Sequence, residues 1–565
     1  MSGNDTGGVT RRSLIKVAGL ASASGLLPAA PMLAGRRAWA QSAGERFDVA
    51  IVGGGVAGAY CAWRLQQADP GRRIVLFEQS NRIGGRLLSV RPPGIPDMVA
   101  ELGGMRFVPA AHKRLVRLVE AVNAALPEDR QLQTYDFPGS GPQNLAYLRG
   151  VRLRNSDFVN APNLVPYRLL ASERGVAPSD LLSRAYAQIV PGIDDPKMTA
   201  AARHELLRSA VFEGVPLYEQ GVWNVLLRVL SPEALDMIVQ ATGYHSAVSN
   251  ANAALEIRGH FELLGVDPTE RAFVGGYQRV PLALADLFVQ AGGTLRTNTT
   301  VVGCEADQDG FRLDLDDDAI AADAVILAMP QRALQLLSGG SSLLQGITGL
   351  ISTVKPLPAF KIFATFQQPW WRAIGGSTEP IEQGESVTNL PLRQIYYWPR
   401  TDGRAATEGR AMLMAGYNDE EFVNFWDALQ PPHDQISTPT ADAAAAFDVF
   451  AGTCTAGGGD WCDHLAPRRM IEDAARQLAE VHGLPESPDI IDAVFHDWRG
   501  DPFGGGWHFW RIGVRGDEAA QRIYNPIDGV PLYICGEAYS TTQGWVEGAL
   551  ETADLVLARF GLSPL

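Results

Sequence analysis

The residues able to do chemistry fall in a few short stretches. Residues 47–58 read FDVAIVGGGVAG: an apolar run, then Gly53-x-Gly55-x-x-Gly58, then a helix-forming stretch to about Gln67. Glycines at this spacing allow a tight turn and let backbone approach a pyrophosphate. The helix that follows offers its free N–H groups and positive dipole end to the phosphates. A second apolar run, Ile74 to Phe77, ends at Glu78, 20 residues past Gly58, where a ribose-binding carboxylate belongs. Arg82-Ile83-Gly84-Gly85-Arg86 comes next. Paired glycines let backbone pass close to a cofactor while a flanking guanidinium neutralises phosphate. Glu101-Leu102-Gly103-Gly104-Met105-Arg106-Phe107 then supplies an arginine whose planar fork suits a carboxylate ligand. Far along the chain stand Lys361 in FKIFATF, the pair Tyr396-Tyr397, an aromatic and glycine-dense run from Pro502 to Trp510, Gly536-Glu537, and Gly544-Trp545-Val546.

These stretches need elements to hold them. Strand, glycine turn, helix and strand in succession predict an α/β nucleotide-binding unit. The rhythm breaks over 135–262, where helical patterns dominate. Ser231 and Pro232 suit the N-cap and first position of one helix, with Glu233 in its first turn. The α/β pattern resumes at Val274-Gly275-Gly276. A helix to about Gln290 follows, then strands at Thr299–Val302, Phe311–Leu315 and Ala322–Met329. The region 351–500 adds a second, strand-rich segment, in which 430–465 reads as loop and surface helix. The final helix opens at Trp545.

Taken together, R-x-G-G-R after the ribose Glu, Gly-x-Met-Arg at 103–106, K-I-F at 361–363 and Gly-Trp at 544–545 resemble the FAD-dependent amine oxidases. Within them they look most like the L-amino acid oxidases, over nearly the whole chain after residue 40. The resemblance implies a mixed α/β fold: a Rossmann-like FAD-binding domain from 41–105, 263–350 and 501–565, a substrate-binding sheet domain from 106–140 and 351–500, and a helical domain at 141–262. It implies FAD held by Gly53, Gly55, Ala57, Gly58, Glu78, Gln79, Arg86, Gly103, Gly104, Met105, Arg106, Val301, Gly536, Glu537, Gly544, Trp545 and Val546. FAD is expected to be non-covalent, because 502–510 has no Cys of the kind that tethers flavin in monoamine oxidases.

On the substrate side the resemblance implies Arg106 and Tyr397 on a carboxylate, with Tyr396 the fallback. Gly544 offers its carbonyl to the amine, Trp545 forms a wall, and Lys361 holds a water near the flavin. Trp507 and Trp223 are further candidates for the pocket wall. The substrate-side His of venom-type oxidases falls on Ala254 in one register and on His260 in another. The implied reaction converts an L-amino acid and dioxygen to a 2-oxo acid, ammonia and hydrogen peroxide. Rival readings are an amine or polyamine oxidase, an amino acid 2-monooxygenase, and an exported flavin-binding protein without turnover.

Bulk properties narrow the partners. The 565 residues carry a net charge of −15, and residues 1–40 hold five basic side chains and one acidic, leaving −19 on the remainder. So acidic a protein is a poor match for nucleic acid or anionic membrane. Thr10-Arg11-Arg12-Ser13-Leu14-Ile15-Lys16 followed by a mild apolar run and Ala38-Trp39-Ala40 reads as a twin-arginine signal. The expectation is export by the Tat machinery to the periplasm or medium, and a homodimer or higher homo-oligomer. After the signal no stretch of 18 or more apolar residues remains, so no stable membrane insertion is expected. Of five cysteines, Cys61, Cys304 and Cys535 lie in or beside apolar runs, while Cys454 and Cys462 stand close enough to bridge in an oxidising compartment. No Cys/His spacing suggests a metal site.

Overall fold

The computed structural model describes residues 45–245, 249–307, 309–376, 380–430 and 460–565. The signal stretch 1–40 and Cys454 lie outside the described residues.

The first strand, Glu45–Val52, runs parallel between Ile74–Phe77 and Ala319–Leu327. Thr294–Arg296 extends one edge, and Leu532–Ile534 pairs parallel with the end of Ala319–Leu327. The hairpin Gly310–Leu315 and Val301–Asp307 completes a seven-stranded sheet. Its central strands read as apolar runs rather than alternating ones because both faces are covered. On one face, helices Val56–Ala68, Lys113–Ala125, Arg279–Gln290 and Val546–Arg559 share one apolar core with Ile51 and Leu76. On the other, Val325, Leu334, Leu337 and Trp510 pack together.

The second sheet has the order Asp492–Asp497, Ala359–Phe366, Ala411–Asp419, Gln394–Tyr397, Gly384–Thr388, Leu145–Leu148, Val151–Arg154. Neighbours are antiparallel except Gly384–Thr388 against Leu145–Leu148. The hairpin 145–154 therefore belongs to this sheet, although it falls in the stretch expected to be helical. Tyr147 and Leu145 pack into the sheet's core, and four buried positions in a row (LAYL) suit a central strand better than an amphipathic helix.

Helices Pro178–Ile189, Ala200–Ser209, Val222–Val229, Pro232–Ala241 and Ala253–His260 gather around a core of their own. Ser231 Oγ accepts the Ala234 N–H at 3.1 Å, with Pro232 at the first helical position, as its residue types predict. Among the described residues no helix is long and apolar enough to cross a membrane, and no cluster of three or more acidic, His or Cys side chains could hold a metal ion.

Candidate active site

One cavity of about 810 Å³ runs from the glycine turn to the space between the two sheets and the helix Ala253–His260. At its first end, Gly53 has φ +109°, and a Cβ there would lie 2.4 Å from the Ala328 carbonyl oxygen. Only glycine suits such a position. Gly55 precedes the helix Val56–Ala68 without any side-chain cap, which leaves the first helical N–H groups free for an anion. Glu78 is held at the end of its strand: Oε2 accepts the Gly54 N–H at 2.8 Å, and Oε1 accepts Ser80 N–H at 2.9 Å and Ser80 Oγ–H at 2.7 Å.

Two of the expected cofactor contacts lie off the cavity. Gly58 packs against the turn, where a Cβ would sit 2.0 Å from the Gly53 carbonyl oxygen, so its role is close helix–strand approach. Gly103 is buried against the Arg86 backbone, where a Cβ would meet the Arg86 oxygen at 2.1 Å. Of the two arginines in R-x-G-G-R, Arg82 is spent on backbone, donating to the carbonyls of Gly85 at 2.7 Å and Leu87 at 3.1 Å. Arg86 lines the cavity. It pairs with Glu537 at 2.7 Å and donates to the Gly506 carbonyl at 3.1 Å.

Glu537 is the hub of the cavity's middle. Oε1 accepts the N–H groups of His508 at 3.0 Å and Gly544 at 2.8 Å, while Oε2 faces Arg86 and His508 Nδ1. Burial alone would raise its pKa. Arg86 and His508 outweigh that and hold it at about 2, so the carboxylate stays charged at any working pH. The loop it fixes carries Gly544, Trp545 and Val546 on the wall. Trp545 rests on the His112 ring, centroids 4.6 Å apart.

Residues at the second end come from distant parts of the chain. Arg106 Nε pairs with Glu270 at 2.8 Å, and its Nη1 donates to Tyr396 Oη at 3.1 Å. Its guanidinium also lies over the rings of Phe137 and Tyr396. Burial works against its charge, but Tyr396 and Glu270 together keep it protonated.

Lys361 sits in a strand buried at every position. Its Nζ donates to the carbonyls of Gly103 at 2.6 Å and Glu101 at 3.1 Å. Gly103 thus serves the cavity through its carbonyl rather than as wall. Burial pulls the Lys361 pKa down to about 7, partly resisted by the Glu101 carboxylate and reinforced by Arg106. Glu101, itself buried, is pushed up to about 7 despite donors from Ser89 Oγ at 2.6 Å and Tyr277 N–H at 2.7 Å. Each charge eases the other: the Glu101 carboxylate favours the Lys361 ammonium, and the ammonium favours the carboxylate.

Tyr397 faces away from Arg106. Strand neighbours point to opposite faces, and its hydroxyl bonds Ser386 Oγ and His482 Nε2, both at 2.8 Å, behind the sheet. Tyr396 is the tyrosine on Arg106. Trp223 is also misplaced as a wall: it is 43% exposed on the outer surface of the helical region. His260 does line the cavity, bonded to Ser183 Oγ at 2.7 Å and edge-on to Tyr186, with burial lowering its pKa to about 4. The remaining expected residues on the wall are Gln79, Ala57, Gly104, Met105, Val301, Gly536 and Trp507.

Sequence reasoning missed Tyr244, Tyr417 and Glu270, all on the wall. Tyr417 is set opposite Lys361 by strand register, with Nζ 4.7 Å from its ring centroid. Tyr244, Tyr417 and Trp507 meet nearly at right angles, centroids 5.6–6.4 Å apart, and make a three-sided aromatic wall. Nothing in the local sequence marks these residues. The one usable signal is the pairing of apolar strands around Lys361.

The chain belongs to the flavin containing amine oxidoreductase family, whose profile matches residues 56–556. It is a flavin-dependent oxidoreductase of that class. It is similar to Aplysianin-A of Aplysia kurodai, 28% identical over 542 residues that cover 91% of this chain and 90% of that protein. It is also similar to an L-amino-acid oxidase of Mus musculus, 27% identical across 89% of this chain and 69% of that protein. A putrescine oxidase solved with putrescine bound superposes with a TM-score of 0.60 at 16% identity, covering 91% of this chain and 99% of that one, a likeness of fold.

Proposed function

We propose that this protein oxidatively deaminates L-amino acids with non-covalent FAD and dioxygen, giving hydrogen peroxide and an imino acid that water hydrolyses to a 2-oxo acid and ammonia. The carrying observation is a half-buried Arg106 held charged on the cavity wall, braced by Tyr396 and facing the same cavity as Lys361 and Trp545. The cavity fits FAD. An uncapped helix start and a glycine turn too tight for any Cβ stand at one end, and the oriented Glu78 lies beside them. Among the described residues no cysteine lines it, which supports a non-covalent cofactor. Bound there, the flavin supplies the acceptor for the hydride lost from the α-carbon and passes the electrons on to dioxygen.

The chain's residues do the rest. Arg106, held in place by Tyr396, orients the substrate carboxylate, and Trp545, Tyr417 and Trp507 exclude water around the α-carbon. The Gly544 carbonyl accepts from the amine. Lys361, neutral above about pH 7, takes a proton at Nζ directly or through a water. Export through the twin-arginine route belongs to the same reading, supported by residues 10–16 and 38–40.

A second reading draws on Glu270. Its pairing with the Nε edge of Arg106 partly neutralises that charge, which suits an amine substrate without a carboxylate. Anaerobic reduction of the bound flavin separates the two. Bleaching by L-amino acids and not by putrescine is the expected result. Bleaching by putrescine alone overturns the amino acid reading.

A further inference from the structure

The cavity holds a carboxylate that the chemistry above does not use. Glu256 lies on the helix Ala253–His260, half-buried on the cavity wall. Its side chain forms no hydrogen bond or ion pair with any described residue. An unpaired carboxylate in such a place is costly unless a cation completes it. One helical turn earlier, Asn252 lines the same wall, and its Oδ1 has no donor, while its Nδ2 is spent on the carbonyls of Arg511 and Val514. Residues four apart share a helix face; Asn252 Oδ1 is itself closed off, so the acceptor this face turns to the cavity is Glu256.

Arg106, Tyr244, Tyr417 and Glu256 all line this cavity, and the Tyr244 and Tyr417 rings meet at 5.6 Å. Asp419 acts electrostatically on both tyrosines and on Glu256, while Arg106 acts on the tyrosines. Asp419 is already engaged, accepting the His245 N–H at 2.8 and 3.0 Å. Arg258 does not neutralise Glu256. Two positions further on, roughly 200° around the helix, it donates to Thr541 Oγ1 at 3.2 Å.

We propose that Glu256 is the side-chain subsite of the cavity and selects L-amino acids whose side chain ends in a cation, an ammonium or guanidinium. The proposal rests on the amino acid oxidase reading. The α-carboxylate sits at Arg106, the aliphatic stem runs along Tyr244 and Tyr417, and the terminal cation meets Glu256. An aromatic wall suits a methylene stem and a cation passing over it.

Three probes test it on the holoenzyme above neutral pH: L-lysine, L-norleucine, which lacks the terminal ammonium, and cadaverine, which lacks the carboxylate. Peroxide release is expected to give a kcat/KM for L-lysine about 10- to 100-fold above that for L-norleucine, the range for a hydrogen bond to a charged group. Glu256→Gln is expected to collapse that ratio toward one, with the bound-flavin spectrum reporting the fold. L-arginine against L-citrulline repeats the comparison on the unaltered protein, so a variant that fails to load flavin leaves the question decidable. A lysine-to-norleucine ratio near one, or a ratio untouched by Glu256→Gln, overturns the subsite and leaves the amino acid reading standing. Turnover of cadaverine without L-lysine or L-norleucine, or of none of the three, overturns both.

Discussion

The two ends of the cavity are built in opposite ways. The nucleotide end comes mostly from one continuous stretch, Gly53 to Arg86, whose turns are held largely by local contacts. Glu78 reaches back to Gly54, and Arg82 ties its own loop. The substrate end has no such stretch. Arg106 meets Glu270 and Tyr396, Lys361 meets Tyr417 and the carbonyl of Gly103, and Trp545 leans on His112. A site made of local backbone geometry tolerates little change at its glycines. One assembled from converging side chains can lose a member and keep its shape. The two ends should therefore fail differently.

The sharpest break is at the nucleotide end. Gly58→Val puts a side chain into the Gly53 carbonyl, and the expected product is protein without flavin, read from the absence of flavin absorbance after purification. If the variant retains a full complement of flavin, the packing argument fails. At the substrate end, Arg106→Ala should leave flavin bound while kcat/KM for L-amino acids drops about 100- to 1000-fold, the cost of leaving a buried charge partner unmatched. Unchanged steady-state kinetics would remove Arg106 from substrate binding.

The next comparison concerns Lys361. Because burial lowers its pKa to about 7, it is an ammonium below that pH and a free base above. Turnover that needs Nζ to accept a proton thus rises as pH rises through about 7. Lys361→Met is expected to flatten that limb and to slow turnover about 100- to 10,000-fold, the usual worth of a general base. A limb that survives in the variant would point to Glu101 instead. The smallest effect separates neighbours. Tyr396→Phe should raise KM for L-amino acids about 10-fold through loss of one hydrogen bond to a charged group, while Tyr397→Phe, on the far face of the same strand, leaves KM within about 2-fold. The reverse order would mean that the strand register is wrong.

The choice between these two tyrosines shows where sequence reading stops. Both lie in one apolar strand, and alternation says only that they face opposite ways. Which face meets Arg106 depends on the pairing of Gln394–Tyr397 with Ala411–Asp419, which has an irregularity between Gln394 and Tyr396. Trp223 shows the same limit. Its helix has a clear apolar stripe in Val222, Val225 and Leu226, and Trp223 falls outside it. The start of the helix Lys113–Ala125 is a third case. No local side chain caps it, and its first N–H groups are taken by Glu547 of the last helix, which accepts from Arg114 and Leu115 at 3.1 Å each.

The sequence by itself determined the family, the α/β class and the nucleotide end, because glycine turns, a helix start and a strand-end acid act within a few residues of one another. It also marked Arg106, Lys361 and Trp545 as unusual, since each stands inside a distinctive run. Only the tertiary structure decided what surrounds them: Tyr396 rather than Tyr397, the aromatic wall of Tyr244, Tyr417 and Trp507, the Glu270 counter-charge, and the unpaired Glu256. Those contacts are set by how two sheets and a helical layer close on one another. Sheet register and layer packing arise from pairings between distant segments, for which neither composition nor spacing carries a local signal.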